Sequence, residues 1–244
     1  MNTTKRENPK IIALLGGTFD PIHLGHILPA QETALWLGAE QLHLIPAHIP
    51  PHKTGTHASA KQRAEMVALA CEPAKGVLLD SRELDRDSPS YTIDTLREIT
   101  KAQPKATLYF IMGMDSLLTF TKWRHWQEIL TLCNLVVNIR PGYQHHELES
   151  TLEPELAKRL IYRLTKLQHE KVGQILLLID SERSSASTTS QDYWNTKEPH
   201  FQSMKQASYM SEPNRMDTRF KRSNATMRCS LMHITIDLIP SAIT

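Results

Sequence analysis

The sequence predicts an α/β fold built on a doubly wound parallel sheet, on three observations. Between residues 10 and 140, short apolar runs alternate with longer stretches of helical period, the pattern of repeated βα units. The first apolar run ends in Gly16-Gly17, directly ahead of the first helical stretch, where the ligand crevice of such a sheet opens. A chain of 244 residues with 40% hydrophobic and 22% charged content also supplies enough apolar surface for one buried core.

Taken in order, Ile11 to Leu15 reads as a buried strand and Leu24 to Leu37 as the helix that follows it. Gln41 to Pro46 is the second strand and Ser59 to Cys71 the second helix, with Val77 to Leu79 a short third strand. Ile93, Leu96 and Ile99 give Tyr91 to Ala102 a helical stripe, and Thr107 to Met112 follows as a strand. Asn134 to Ile139 is the next strand, ended by the turn residues Arg140-Pro141-Gly142-Tyr143. Glu153 to Lys166 reads as a helix, ahead of one last apolar run from Ile175 to Ile179. After residue 180 the character changes: Ser181 to Ser190 is crowded with Ser and Thr, and only Met232 to Ile239 alternates like a strand. Residues 1–180 are therefore expected to form the catalytic domain, and 181–244 a weakly structured tail.

Composition narrows the function classes. A net charge of +2 without a dense Lys/Arg stripe argues against a nucleic-acid partner. Cys71, Cys133 and Cys229 lie far apart and form no C-x-x-C pair, which predicts neither a disulfide framework nor a thiolate zinc site. The apolar run after Met1 to Asn8 is too short for a signal sequence or a membrane span, so the expected location is the cytoplasm, with no membrane partner.

The chemistry concentrates in Gly16-Gly17-Thr18-Phe19-Asp20-Pro21-Ile22-His23-Leu24-Gly25-His26. Paired glycines let the backbone come close to a bound group, and N–H groups at a helix start attract anions, phosphate above all. His23 and His26, three apart across the helix start, can direct both imidazoles at the same oxygens and donate to charge developing on phosphorus. A Gly-Gly pair is a common turn, and two histidines can be half of a metal site, but no further ligands stand at metalloenzyme spacing. Neither a G-x-G-x-x-G fingerprint nor a G-x-x-x-x-G-K-[ST] loop is present. Asp20 is read as orienting the turn by accepting backbone N–H bonds.

Later segments have readable chemistry too. Pro50-Pro51 is a stiff lead-in that presents His52 and Lys53 to the crevice, with Lys53 a point charge for phosphate. Ser90-Tyr91-Thr92 precedes a helix, so its hydroxyls and N–H groups can both cap that helix and meet a carboxylate. Trp123 offers a face for a cationic ring, whereas Trp126 shares a helical face with Ile129 and Leu130 and reads as a packing residue. Gly113-Met114-Asp115 closes a strand at the edge of the sheet where ligands bind.

The segment from His23 to His26 resembles the (H/T)-x-G-H signature of the nucleotidyltransferase superfamily. Pro50-Pro51-His52-Lys53, Ser88 to Leu96, Gly113 to Leu118 with Trp123 and Trp126, and Arg140 to Tyr143 resemble, in order and spacing, its bacterial nicotinate-mononucleotide adenylyltransferase branch. The resemblance covers residues 10 to 180. It implies a Rossmann-like sheet of nucleotidyltransferase type and transfer of AMP from ATP to nicotinate mononucleotide, giving deamido-NAD and pyrophosphate. Implied as catalytic are His23, His26 and Lys53. ATP falls to Gly16, Gly17, Thr18, Phe19, His23, His26, Gly113, Asp115 and Arg183. Nicotinate mononucleotide falls to Lys53, Tyr91, Thr92, Trp123 and Asp115, with Trp123 stacking on the nicotinate. Mg²⁺ is implied as the companion of ATP, with no resident metal site, and a homo-oligomer is open.

The chain departs from the family at its late I-S-S/T-x-x-I-R type motif. Ser181-Glu182-Arg183-Ser184-Ser185 stands in that neighbourhood, but no arginine follows at the family spacing. Arginine forks grip triphosphate strongly, so the expectation is weakened ATP affinity: either Arg183 substitutes from the other side, or the tail has been replaced and activity is weakened. The alternatives are an adenylyltransferase for another phosphate acceptor, and a weakened or non-catalytic nucleotide-binding protein of the same superfamily.

Overall fold

The computed structural model describes residues 10–51, 55–139 and 148–178. Among them seven strands form one sheet: β1 (Ile11–Gly17), β2 (Gln41–Pro46), β3 (Val77–Leu79), β4 (Thr107–Gly113), β5 (Asn134–Asn138), β6 (Leu160–Ile161) and β7 (Ile175–Leu178). Their order is β3-β2-β1-β4-β5-β7-β6, and every pairing is parallel. The helices are α1 (Leu24–Trp36), α2 (Ala60–Cys71), α3 (Thr92–Ala102), α4 (Met114–Leu118), α5 (Trp126–Leu132), α6 (Leu148–Thr151) and α7 (Pro154–Ala157).

Strand alternation divides the core in two. Ile12, Leu14, Leu108 and Phe110 pack with Ile93, Leu96 and Ile99 of α3 and with Ile129 and Leu130 of α5. Ala13, Tyr109 and Ile111 pack with Ile27, Ala30 and Ala34 of α1 and with Val67 and Ala70 of α2. Both faces of the sheet are therefore covered, which explains why the strands read as continuous apolar runs. Each fully buried Ile or Leu of α3 contributes about 1.5–3 kcal/mol of burial. At α2 the predicted start holds, since the Ser59 Oγ accepts the Gln62 N–H at 3.3 Å and the Gln62 Oε1 accepts the Ser59 N–H at 2.9 Å.

One element differs from its sequence reading. The stretch Glu153 to Lys166 is not one helix but the short α7, the strand β6 and a 3-10 turn at Leu164–Lys166. Leu160 and Ile161 pair with Ile175 and Leu176 of β7, and the Ile175 N–H donates to the Arg159 carbonyl at 2.9 Å. Ladder bonds at the sheet edge replace the helical ones, so tertiary pairing overrides a helical apolar period. The expected turn at Arg140 to Tyr143, the tail at 181–244 and its possible strand at Met232 to Ile239 lie outside the described residues. Among the described residues no helix is long and apolar enough to cross a membrane.

The chain passes from β1 to β2 on one side and returns to β4 on the other, so β1 and β4 flank the point where the winding reverses. Their carboxyl ends are Gly16-Gly17 and Gly113, at the edge where ligands of such sheets bind.

Candidate active site

Gly17 is glycine for want of space: a Cβ there would lie 2.8 Å from the Phe19 ring. Phe19, with φ of 49°, turns its buried ring back under the strand end and meets the His26 ring edge-on at 5.4 Å. His23 occupies the N-cap of α1, and its ring faces that of His26 with centroids 3.8 Å apart and a 34° tilt. Gly25 admits this arrangement, because a Cβ there would meet the His23 ring at 3.1 Å. The His23 N–H donates to the His26 Nδ1 at 3.3 Å. Desolvation lowers the His23 pKa from its ordinary value, favouring the neutral ring.

Asp20 holds the turn as the sequence suggests. Its carboxylate accepts the N–H groups of His57 at 2.6 Å and Ala58 at 3.0 Å, just ahead of α2. Burial pushes its pKa up, but the hydrogen bonds from Ala58 and His57 outweigh this and hold it below the usual carboxylate value.

Opposite this turn lies a cleft of about 490 Å³. Gly16, Gly17 and Thr18 line one side, and Tyr91, Thr92 and Trp123 the other. Phe110 of β4 is shared between them: a Cβ on Gly16 would stand 3.3 Å from its ring, and Trp123 meets that ring edge-on at 5.9 Å. Trp123 thus packs on the core through one edge and lines the cleft as well. Trp126 packs on the same cluster and meets Phe120 at 6.2 Å, as expected of a packing residue.

The start of α3 corrects one detail. Tyr91 is the N-cap, and no side-chain hydroxyl caps the helix. The Ser90 hydroxyl instead accepts the His48 N–H at 2.9 Å and bonds to the buried Glu83. The N–H groups at the head of α3 are therefore left without a side-chain acceptor beside the cleft. Glu83 also takes the Thr95 hydroxyl at 2.6 Å, and burial raises its pKa despite these bonds.

The predicted residues separate into three groups. Gly16, Gly17, Thr18, Tyr91, Thr92 and Trp123 meet in one cleft. Phe19, His23 and His26 stand together beside the glycine turn but do not line it, and neither do Gly113 and the exposed Asp115 at the end of β4. Lys53 and Arg183 lie outside the described residues. Sequence reading missed Arg63, Glu83, Lys122 and Arg124. Lys122 and Arg124 line the cleft on either side of Trp123, and the Arg124 guanidinium carbon sits 4.8 Å from the Tyr91 ring centre. Arg63 had a signal, since a charged residue shares the buried stripe of α2 with Val67 and Ala70. Glu83 sits in a loop with no pattern to mark it.

A parallel sheet with a glycine turn and paired imidazoles at its reversal point defines an α/β protein of nucleotidyltransferase type. The cytidylyltransferase-like family model matches residues 14–192, and the chain belongs to that family. It is 44% identical over 177 residues to a Psychromonas ingrahamii protein named "Probable nicotinate-nucleotide adenylyltransferase", covering 72% of this chain and 82% of that one. An Aeromonas salmonicida protein of the same name is 46% identical over 166 residues, 68% of this chain and 77% of its own length. Among solved structures, the Plasmodium falciparum nicotinic acid mononucleotide adenylyltransferase complexed with NaAD superposes with a TM-score of 0.51 at 16% identity. That match covers 69% of this chain and 74% of the other, and bears on the fold alone.

Proposed function

We propose that the chain is an enzyme of NAD biosynthesis that transfers AMP from ATP to nicotinate mononucleotide, releasing pyrophosphate and forming deamido-NAD. The observation that carries this reading is the cleft that the glycine turn lines together with Tyr91, Thr92 and Trp123 at the reversal point of the sheet.

In this reading a phosphate oxygen of nicotinate mononucleotide attacks the α-phosphorus of ATP. The new P–O bond forms as the bond from the α-phosphorus to the bridging oxygen breaks, and pyrophosphate leaves with the electron pair. The attacking phosphate is already ionised near neutral pH, so the protein needs no covalent nucleophile. Its task is alignment and charge stabilisation. His23 and His26 are assigned to the ATP phosphates, where their stacked rings stand beside the glycine turn. Gly16 to Phe19 cradle the nucleotide, Gly113 and Asp115 meet its sugar region, and Lys53 and Arg183 are assigned on sequence alone. The pyridinium ring stacks on Trp123, and the nicotinate carboxylate takes the N–H groups at the head of α3 around Tyr91 and Thr92. Mg²⁺ enters as part of the Mg–ATP substrate and neutralises phosphate charge, in keeping with its usual reliance on substrate oxygens.

The test is pyrophosphate release on mixing the purified chain with Mg–ATP and, in turn, nicotinate mononucleotide, nicotinamide mononucleotide and pantetheine phosphate. Turnover is expected with the first. Turnover with another acceptor alone, or ATP binding without turnover, would replace this reading.

A further inference from the structure

Arg63 is 1% exposed on α2, where an aliphatic residue would fill the stripe without the cost of burying a charge. Burial lowers its pKa from the ordinary arginine value, against the pull of the Asp20 carboxylate, and its Nε has no hydrogen-bond partner. Its other nitrogens account for its presence. Nη1 donates to the Thr18 carbonyl at 2.6 Å, and Nη2 to the His48 carbonyl at 3.1 Å. Thr18 belongs to the glycine turn, and His48 to the loop after β2 that brings Ala47, Pro50 and Pro51 to the cleft. The connection continues, because the His48 N–H donates to the Ser90 hydroxyl and the Ser90 N–H to the Ile49 carbonyl, each at 2.9 Å. Ser90 directly precedes the cap of α3. An unbroken string of hydrogen bonds thus runs from Thr18 through Arg63 and His48 to the head of α3.

We propose that Arg63 is a positioning residue that ties the ATP turn to the acceptor loop, so that filling either subsite tightens binding at the other. The inference rests on the reading of the function given above. A planar guanidinium holding two carbonyls passes on a displacement of one to the other. A substrate that orders the shared strut leaves less ordering for the second substrate to bear.

The experiment uses the full chain and measures the affinity of a non-hydrolysable ATP analogue with Mg²⁺, with and without saturating nicotinate mononucleotide, and the reverse. In the wild type each ligand is expected to tighten the other by about fivefold or more, equally in both directions. In R63M the ratio should fall to about one, with both KM values raised roughly five- to tenfold and kcat changed less. R63K, which keeps the charge and one bond, should recover part of the coupling, and S90A should weaken it with Arg63 in place. If R63M does not fold, R63K and S90A decide. A variant that melts like the wild type yet keeps both KM values and the mutual tightening overturns the proposal. So does a wild type that turns over but binds each substrate equally well with and without the other. Failure of the functional reading looks different: the wild type then releases no pyrophosphate with nicotinate mononucleotide, and the coupling is read with the acceptor that does react.

Discussion

Two histidine sites among the described residues differ in what their ring nitrogens meet. His43 projects from β2, with Nδ1 2.9 Å from the Asp80 carboxylate and Nε2 3.3 Å from the Gln41 side-chain oxygen. Asp80 in turn takes the Arg82 Nε at 2.8 Å, so the cluster is closed on itself in a nearly buried position. His23 and His26 stack on each other at the head of α1, where His23 is exposed beside the glycine turn. The same side chain thus closes a buried network where both nitrogens meet protein oxygens, and in the proposed function serves a ligand where the stacked pair stands beside the glycine turn.

Substitutions should separate the two. The largest effect is expected for H26A, which should lower kcat/KM for ATP about 10²–10³-fold, as for loss of a preorganised donor, with little change in melting. Near-normal pyrophosphate release would dissolve the contrast. D80N should do the reverse: it leaves His43 and Arg82 without their anion and should cost about 3 kcal/mol of stability in a urea melt, with kcat retained in the folded protein. W123A, on the acceptor wall, should raise the apparent KM for nicotinate mononucleotide roughly tenfold while sparing that for ATP. An unchanged acceptor KM would assign Trp123 to its contacts with Phe110 and Phe120 alone.

The smallest effect is in acid. Burial pushes the Asp80 pKa up, but the bonds from His43 and Arg82 outweigh it and hold the carboxyl well below the usual range. A depressed folded pKa contributes stability above the unfolded value of about 3.9, and that stability is lost as pH falls toward the folded value. Acid melts should therefore steepen below about pH 4 in the wild type, and less so in D80N.

Much of the architecture was legible because both faces of the sheet are covered: β1, β4 and β5 appear as nearly unbroken apolar runs, and α3 shows its stripe at Ile93, Leu96 and Ile99. The segment Glu153 to Lys166 was not, because β6 is held by bonds to β7 that local periodicity does not encode. In the site, the imidazole pair and the glycine turn were legible, being contiguous in sequence. Arg63 and Glu83 were not identified, since their partners Thr18, His48 and Ser90 come from other segments. The capping of α3 was misread because the Ser90 hydroxyl prefers the His48 N–H across the loop. Ion pairs such as that between Arg97 and Glu128 join exposed side chains and were invisible to pattern reading.

Phe110 lies against both Gly16 and Trp123. A bulkier or smaller side chain there would alter depth at the two ends of the pocket together. Under the proposed assignment, selectivity for the base-bearing donor and for the pyridine acceptor is therefore coupled through Phe110, and retuning one of them alone falls to lining residues such as Lys122 and Arg124.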